Sequence, residues 1–219
     1  ILEPLVQCAT GMGMYHSIYL AKARELCTQY HIHLIDDEIA VGFGRTGKMF
    51  AFEHANIKPD FICLSKGLTG GYLPLSAVLT TDNVYMAFYE DKVEKGFLHS
   101  HSYTGNPLAC SAALGTLYYF ENHDVINQNH KTSSFISERM KALSTLPISN
   151  LRNIGMIWAF DLEGTTKKIL RKISTKAIES GLLIRPIGHT IYFMPPYIIN
   201  HDEIDFMIDT TLEVIQSSI

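Results

Sequence analysis

Two charged residues stand at matching places in this chain of 219 residues. Asp37 follows the alternating stretch His31–Ile35, inside the triplet Asp36-Asp37-Glu38. Lys66 follows the apolar run Phe61–Leu64 and precedes Gly67-Leu68-Thr69-Gly70-Gly71. An acid and an amine just beyond two buried strands can form a structural ion pair. They can also divide two tasks of one cofactor's chemistry, with the glycines letting backbone approach a ligand beside Lys66. Other patterns offer less. Gly42-Phe43-Gly44-Arg45-Thr46-Gly47 satisfies G-x-G-x-x-G, but a dinucleotide loop must open a helix, and Lys48–Phe52 has little helical periodicity. A phosphate loop needs Ser or Thr where Met49 stands. Successive strand residues face opposite sides, so Asp36, Asp37 and Glu38 cannot converge on a metal. His99 and His101 have no further ligands at fitting spacing and read as loop residues.

The cofactor whose needs match the acid and the lysine is pyridoxal 5'-phosphate (PLP). It requires a lysine that bonds its aldehyde and an acid opposite its pyridine nitrogen, which keeps the ring protonated as an electron sink. Lysine titrates near 10.4 in water and must be neutral to attack, which burial can achieve. A carboxylate about 4 Å from a pyridinium contributes on the order of 4 kcal/mol at an effective dielectric near 20. That is roughly 3 pKa units, enough to keep the ring charged at neutral pH.

The elements that must hold these residues alternate. Ser17–Tyr30 reads as an amphipathic helix, His31–Ile35 as a buried strand, Phe61–Leu64 as a second and Leu73–Thr80 as a third. Strands alternating with helical stretches predict an α/β sheet, with chemistry beyond the strand ends. Asn106-Pro107 opens a small-residue helix over Leu108–Asn122, and an amphipathic helix follows over Ile126–Leu143. A strand over Ile154–Leu162, a helix over Lys167–Ser180 and strands over Leu182–Ile184 and Thr190–Met194 come next. Asn200-x-x-Glu203 announces the last helix with a capping-box spacing. A domain change falls near Asn122–Asp124, and the C-terminal part reads as a small α+β domain.

Composition sets the bounds. The hydrophobic set is 47% and the charged set 18%, enough for a real core and far from disorder. The longest strongly apolar uncharged run, Ile154–Phe160, is far short of a membrane span. A net charge of -4 argues against a nucleic-acid or anionic-membrane surface. Cys8, Cys27, Cys63 and Cys110 are scattered, which suits free thiols in a reducing cytoplasm. No targeting signal opens the chain, and Ile1-Leu2-Glu3-Pro4 reads as the middle of a longer protein.

Asp37–Gly47, Pro59-Asp60 and Ser65–Gly71 together resemble the class III aminotransferases, PLP enzymes of fold type I. His99–Cys110 resembles their next block, and the resemblance extends over essentially the whole chain. The string Ile191-Tyr192-Phe193-Met194-Pro195-Pro196-Tyr197 is similar to the branch that aminates 8-amino-7-oxononanoate. The resemblance implies that Lys66 carries the cofactor and moves the proton, and that Asp37 pairs with the pyridine nitrogen. Ser102 falls where the family usually has Thr, whose hydroxyl reaches the cofactor phosphate of the neighbouring subunit; a homodimer is thus implied. Arg185 falls at the arginine that grips the substrate carboxylate, where a bidentate fork is the natural device. Tyr192 and Arg45 match residues lining the substrate pocket. Singly, Ser102 could be a loop hydroxyl, Arg185 a surface ion pair and Tyr192 a core ring.

The implied reaction is ping-pong transfer of an amino group to 8-amino-7-oxononanoate, giving 7,8-diaminononanoate for biotin synthesis. S-adenosylmethionine is the expected donor; some relatives use lysine. The alternatives are another class III aminotransferase acting on an ω-amino acid, or a truncated non-catalytic fragment. The family's phosphate-binding glycine-serine loop, its ring-stacking aromatic and several sheet strands lie upstream of anything here. The chain therefore reads as a C-terminal half, inactive alone. Residues 1–122 would be the end of the PLP-binding large domain, with its mixed sheet and flanking helices, and residues 123–219 the small domain.

Overall fold

The computed structural model describes all 219 residues, Ile1–Ile219. In chain order the elements are β1 (Val6–Gln7), β2 (Gly13–Met14), α1 (Ser17–Gln29), β3 (Ile35–Asp37), β4 (Phe61–Leu64), β5 (Ala77–Thr80) and α2 (Asp82–Met86). Then come α3 (Pro107–Asn122), α4 (Val125–Met140), β6 (Ile148–Ile154), β7 (Ile157–Leu162), α5 (Lys167–Glu179), β8 (Thr190–Phe193) and α6 (His201–Gln216). They fall into two units. The first comprises Ile1–Leu5, Tyr15–Phe43 and Lys48–Asp124; the second comprises Val6–Met14, Gly44–Gly47 and Val125–Ile219. No helix is long and apolar enough to cross a membrane.

In the first unit, β3 and β4 run parallel and β4 and β5 antiparallel. Leu2 extends the sheet beyond β3: its N–H donates to Ile35 O at 3.0 Å, and Asp37 N–H donates to Leu2 O at 2.9 Å. Phe43, Leu64, Leu68 and Ala113 form a buried cluster, with Phe50 and Phe120 against it. Asn106 caps α3, its Oδ1 accepting from Leu108 N–H at 3.0 Å, and Pro107 takes the first turn. The small side chains of Ala109 and Ala113 make the buried face of α3.

In the second unit, β6, β7 and β8 form an antiparallel sheet. Trp158, Phe160 and Ile191 from this sheet pack with Ile136 and Met140 of α4, Ile173 of α5 and Ile204 and Ile208 of α6. The capping box of α6 forms as its spacing predicts: Glu203 N–H donates to Asn200 Oδ1, and Asn200 N–H to Glu203 Oε2, both at 2.9 Å.

Several predicted boundaries are corrected. The strand expected at His31–Ile35 lies at Ile35–Asp37. The preceding residues are spent leaving α1, where His31 is left-handed at φ 54 and Ile32 N–H closes on Cys27 O at 2.8 Å. Asp36 and Asp37 are therefore in the strand, not beyond it. Only Ala77–Thr80 of the run Leu73–Thr80 is a strand, because side chains take the earlier carbonyls: Thr69 Oγ1 donates to Leu73 O and Ser65 Oγ to Leu75 O. Ile154–Leu162 is broken by a hairpin turn at Gly155, which joins β6 to β7. Leu182–Ile184 is not a strand: Leu182 N–H bonds Ala177 O to finish α5, and no strand pairs with the segment.

Candidate active site

Register places Asp37 opposite Cys63 on the parallel strand, so Lys66 leaves β4 just past the same end of the sheet. Parallel strands put chemistry at that end. Asp37 is half-buried; its Oδ1 accepts from Ile39 N–H at 3.1 Å and its Oδ2 accepts nothing. Lys66 is exposed, and no ion pair joins it to Asp37 or any other acid. The structural ion pair that spacing alone allowed is absent. Lys66 also sits at φ 45, a left-handed conformation that costs on the order of 1–3 kcal/mol for a residue with a Cβ. Leu68 N–H to Ser65 O and Gly70 N–H to Gly67 O, both 3.0 Å, lock this turn. A side chain at Gly67 would meet the Phe43 ring at 3.0 Å, so glycine permits the close approach.

The neighbouring acids have other surroundings. Glu38 is buried; its Oε1 accepts from Phe52 N–H at 3.0 Å and so pins the Ala51–Ala55 turn. Burial pushes its pKa up to about 7, against backbone hydrogen bonds from Ala51 and Phe52. Asp36 is fully buried and neither carboxylate oxygen has a hydrogen-bond partner. Burial raises the Cys63 thiol, and the Asp37 and Asp36 charges add to the effect.

Ser102 is exposed in a loop closed by Thr104 N–H to His101 O at 2.9 Å and His101 N–H to Thr104 Oγ1 at 3.1 Å. The ring of His101 accepts from Tyr103 N–H, and no group of acids, histidines and cysteines gathers to hold a metal. Asp37, Lys66 and Ser102 belong to the first unit; Arg45, Arg185 and Tyr192 belong to the second.

Within the second unit Arg45 donates from Nη1 to Pro195 O at 2.6 Å, and its guanidinium lies 4.5 Å from the Tyr197 ring centroid. Burial lowers the Arg45 pKa and pushes the Tyr197 phenol up to about 12. Tyr197, which sequence reasoning left without a role, is thus the partner of Arg45. Two prolines before an aromatic ring were the signal for a fixed backbone there. Arg185 is exposed between buried Ile184 and half-buried Ile187, and Tyr192 lies half-buried on β8 opposite Ala159.

The chain belongs to the class-III aminotransferases, whose family model matches residues 1–215. It is 50% identical, over 98% of its length, to the adenosylmethionine-8-amino-7-oxononanoate aminotransferase of Helicobacter pylori, of which it covers 51%. Among solved structures, the adenosylmethionine-8-amino-7-oxononanoate aminotransferase of Methanocaldococcus jannaschii superposes with TM-score 0.93 at 36% identity. That match covers 99% of this chain and 53% of the other. An amine transaminase from an uncultivated Pseudomonas species, solved in its PLP-bound form, gives TM-score 0.89 at 29% identity, covering 98% of this chain and 51% of that one. The chain thus spans about half the length of the curated relatives it matches.

Proposed function

We propose that this chain works within a PLP-dependent aminotransferase that converts 8-amino-7-oxononanoate to 7,8-diaminononanoate, with S-adenosylmethionine as donor, in biotin synthesis. The observation that carries the reading is the unpaired Lys66 just past the end of β4, beside a strand that ends in Asp37. The donor set fits the cofactor: a carboxylate with one oxygen uncommitted for a pyridinium, and an amine held on a tight glycine turn. When bound, PLP supplies an electron sink that lets an amino group leave one substrate and join another. Asp37 would hold the proton on the ring nitrogen. Lys66 would bond the cofactor between turnovers and carry the proton at Nζ during them. Arg185 would orient substrate by its carboxylate, beside Tyr192 and Arg45. We read the whole protein as a cytoplasmic homodimer in which Ser102 serves the partner's cofactor phosphate. We also read residues 1–122 as the end of its large domain and 123–219 as its small domain.

Borohydride reduction of the full-length protein containing this chain, followed by peptide mapping, should place the label on Lys66. Label on another lysine, or none, sinks the assignment. An acceptor screen should then show turnover with 8-amino-7-oxononanoate and little with ω-amino-acid partners. The reverse preference would reassign the substrate while keeping the chemistry.

A further inference from the structure

The segment that carries Arg185 is tied down on both sides. Ile184 is 3% exposed. Ile187 and Thr190 exchange backbone hydrogen bonds of 2.9 and 3.0 Å, with Gly188 at φ 58 making the reversal. Leu162 N–H donates to His189 O at 3.0 Å, and His189 Nδ1 lies 3.2 Å from Thr165 Oγ1. Thr190 then starts β8 opposite Asp161, two residues before Tyr192.

A polar cluster sits at that point. The Thr190 hydroxyl donates to Asp161 Oδ1 at 2.7 Å. Asp161 also accepts from Arg152 Nη2 at 3.1 Å, Arg152 Nη1 at 3.2 Å and Asn150 Nδ2 at 2.9 Å. Arg152 donates further to Gly11 O at 2.7 Å and Met12 O at 2.9 Å, on the turn between β1 and β2. A side chain on Gly11 would sit 2.8 Å from Thr190 Oγ1. Burial alone would raise the Asp161 carboxyl, but hydrogen bonds from Thr190, Arg152 and Asn150 outweigh it and hold the group below its ordinary value. Backbone pairing already registers β7 with β8 from Trp158–Phe193 to Asp161–Thr190. The Thr190–Asp161 bond lies where that ladder ends and the chain turns back toward Arg185.

We propose that Thr190 and Asp161 are positioning residues for substrate: their hydrogen bond fixes the Ile187–Thr190 turn and so the presentation of Arg185 and Tyr192 to a substrate carboxylate. The inference rests on the proposed roles of Arg185 and Tyr192.

The test uses the full-length protein with cofactor bound. Thr190→Val removes the donor at nearly constant volume. The net worth of one hydrogen bond predicts a rise of about two- to tenfold in KM for 8-amino-7-oxononanoate. The kcat and the KM for the acceptor's methyl ester, which lacks the carboxylate charge, should stay near wild type. Thr190→Ser should restore the preference for the free acid. Arg185→Ala, as control, should abolish that preference. If Thr190→Val raises both KM values alike, or lowers only the melting temperature, the cluster is structural and the proposal is overturned. If Arg185→Ala leaves the preference intact, the role of Arg185 fails and this inference fails with it. If only Thr190→Val leaves it intact, Arg185 keeps its role and this inference alone falls.

Discussion

Asp36 and Asp37 are adjacent carboxyls on one strand with opposite surroundings, as the alternation of a strand requires. Asp37→Asn should remove most turnover of the full-length enzyme while cofactor absorbance is retained; greater harm from Asp36→Asn would mean that the wrong acid was chosen. Asp36 shows itself through pH instead. Burial pushes its pKa from 3.8 to about 7, against the pull of the Arg24 guanidinium. The folded chain then keeps a proton that the unfolded chain releases. Its contribution to stability is full below pH 3.8, falls as pH climbs toward 7, and is level above that. Melting temperatures of the full-length protein measured from pH 4 to pH 8 should decline less in Asp36→Asn than in wild type. An unchanged slope would place the dependence on another group, with buried Glu38 the first to examine.

At the scale of elements, the β6–β7 turn is the least replaceable. Gly155 has φ 53, and a side chain there would lie 2.4 Å from Arg45 O. Backbone cannot yield as a flexible side chain can, so Gly155→Ala should cost at least about 2 kcal/mol in urea unfolding of the full-length protein. Near-wild-type stability would show that the turn can relax. The sequence made the helices legible because their signals are local: Asn106-Pro107 for α3, Asn200 and Glu203 for α6. Strand ends were less legible. Leu182–Ile184 has the composition of a strand but no neighbour to pair with, and partners are chosen by distant parts of the chain. The candidate site divides in the same way. Lys66 could be found from the run before it and the glycines after it, whereas its left-handed backbone could not. The Thr190–Asp161 bond spans 29 residues and the Arg152–Gly11 bond 141, separations that no local pattern records.

At the scale of the molecule, the first unit leaves large apolar side chains in water: Tyr72 is 87% exposed, Leu98 79%, Tyr103 77% and Leu108 71%. Such side chains give copies of the chain apolar surface through which to associate. Residues 1–219 expressed alone should therefore aggregate and turn over no substrate, as light scattering and an activity assay would show. A soluble, active monomer would refute this. The second unit carries a different consequence. It is assembled from three separate stretches, Val6–Met14, Gly44–Gly47 and Val125–Ile219. On a linear map the step from Asp124 to Val125 looks like the place to exchange parts between relatives. A chimera joined there would set a foreign residue 11 against Arg152 and Thr190, and a foreign residue 45 against Gly155. Recombination that respects this protein must move all three stretches together, so the smallest exchangeable module is Val125–Ile219 with its two upstream stretches.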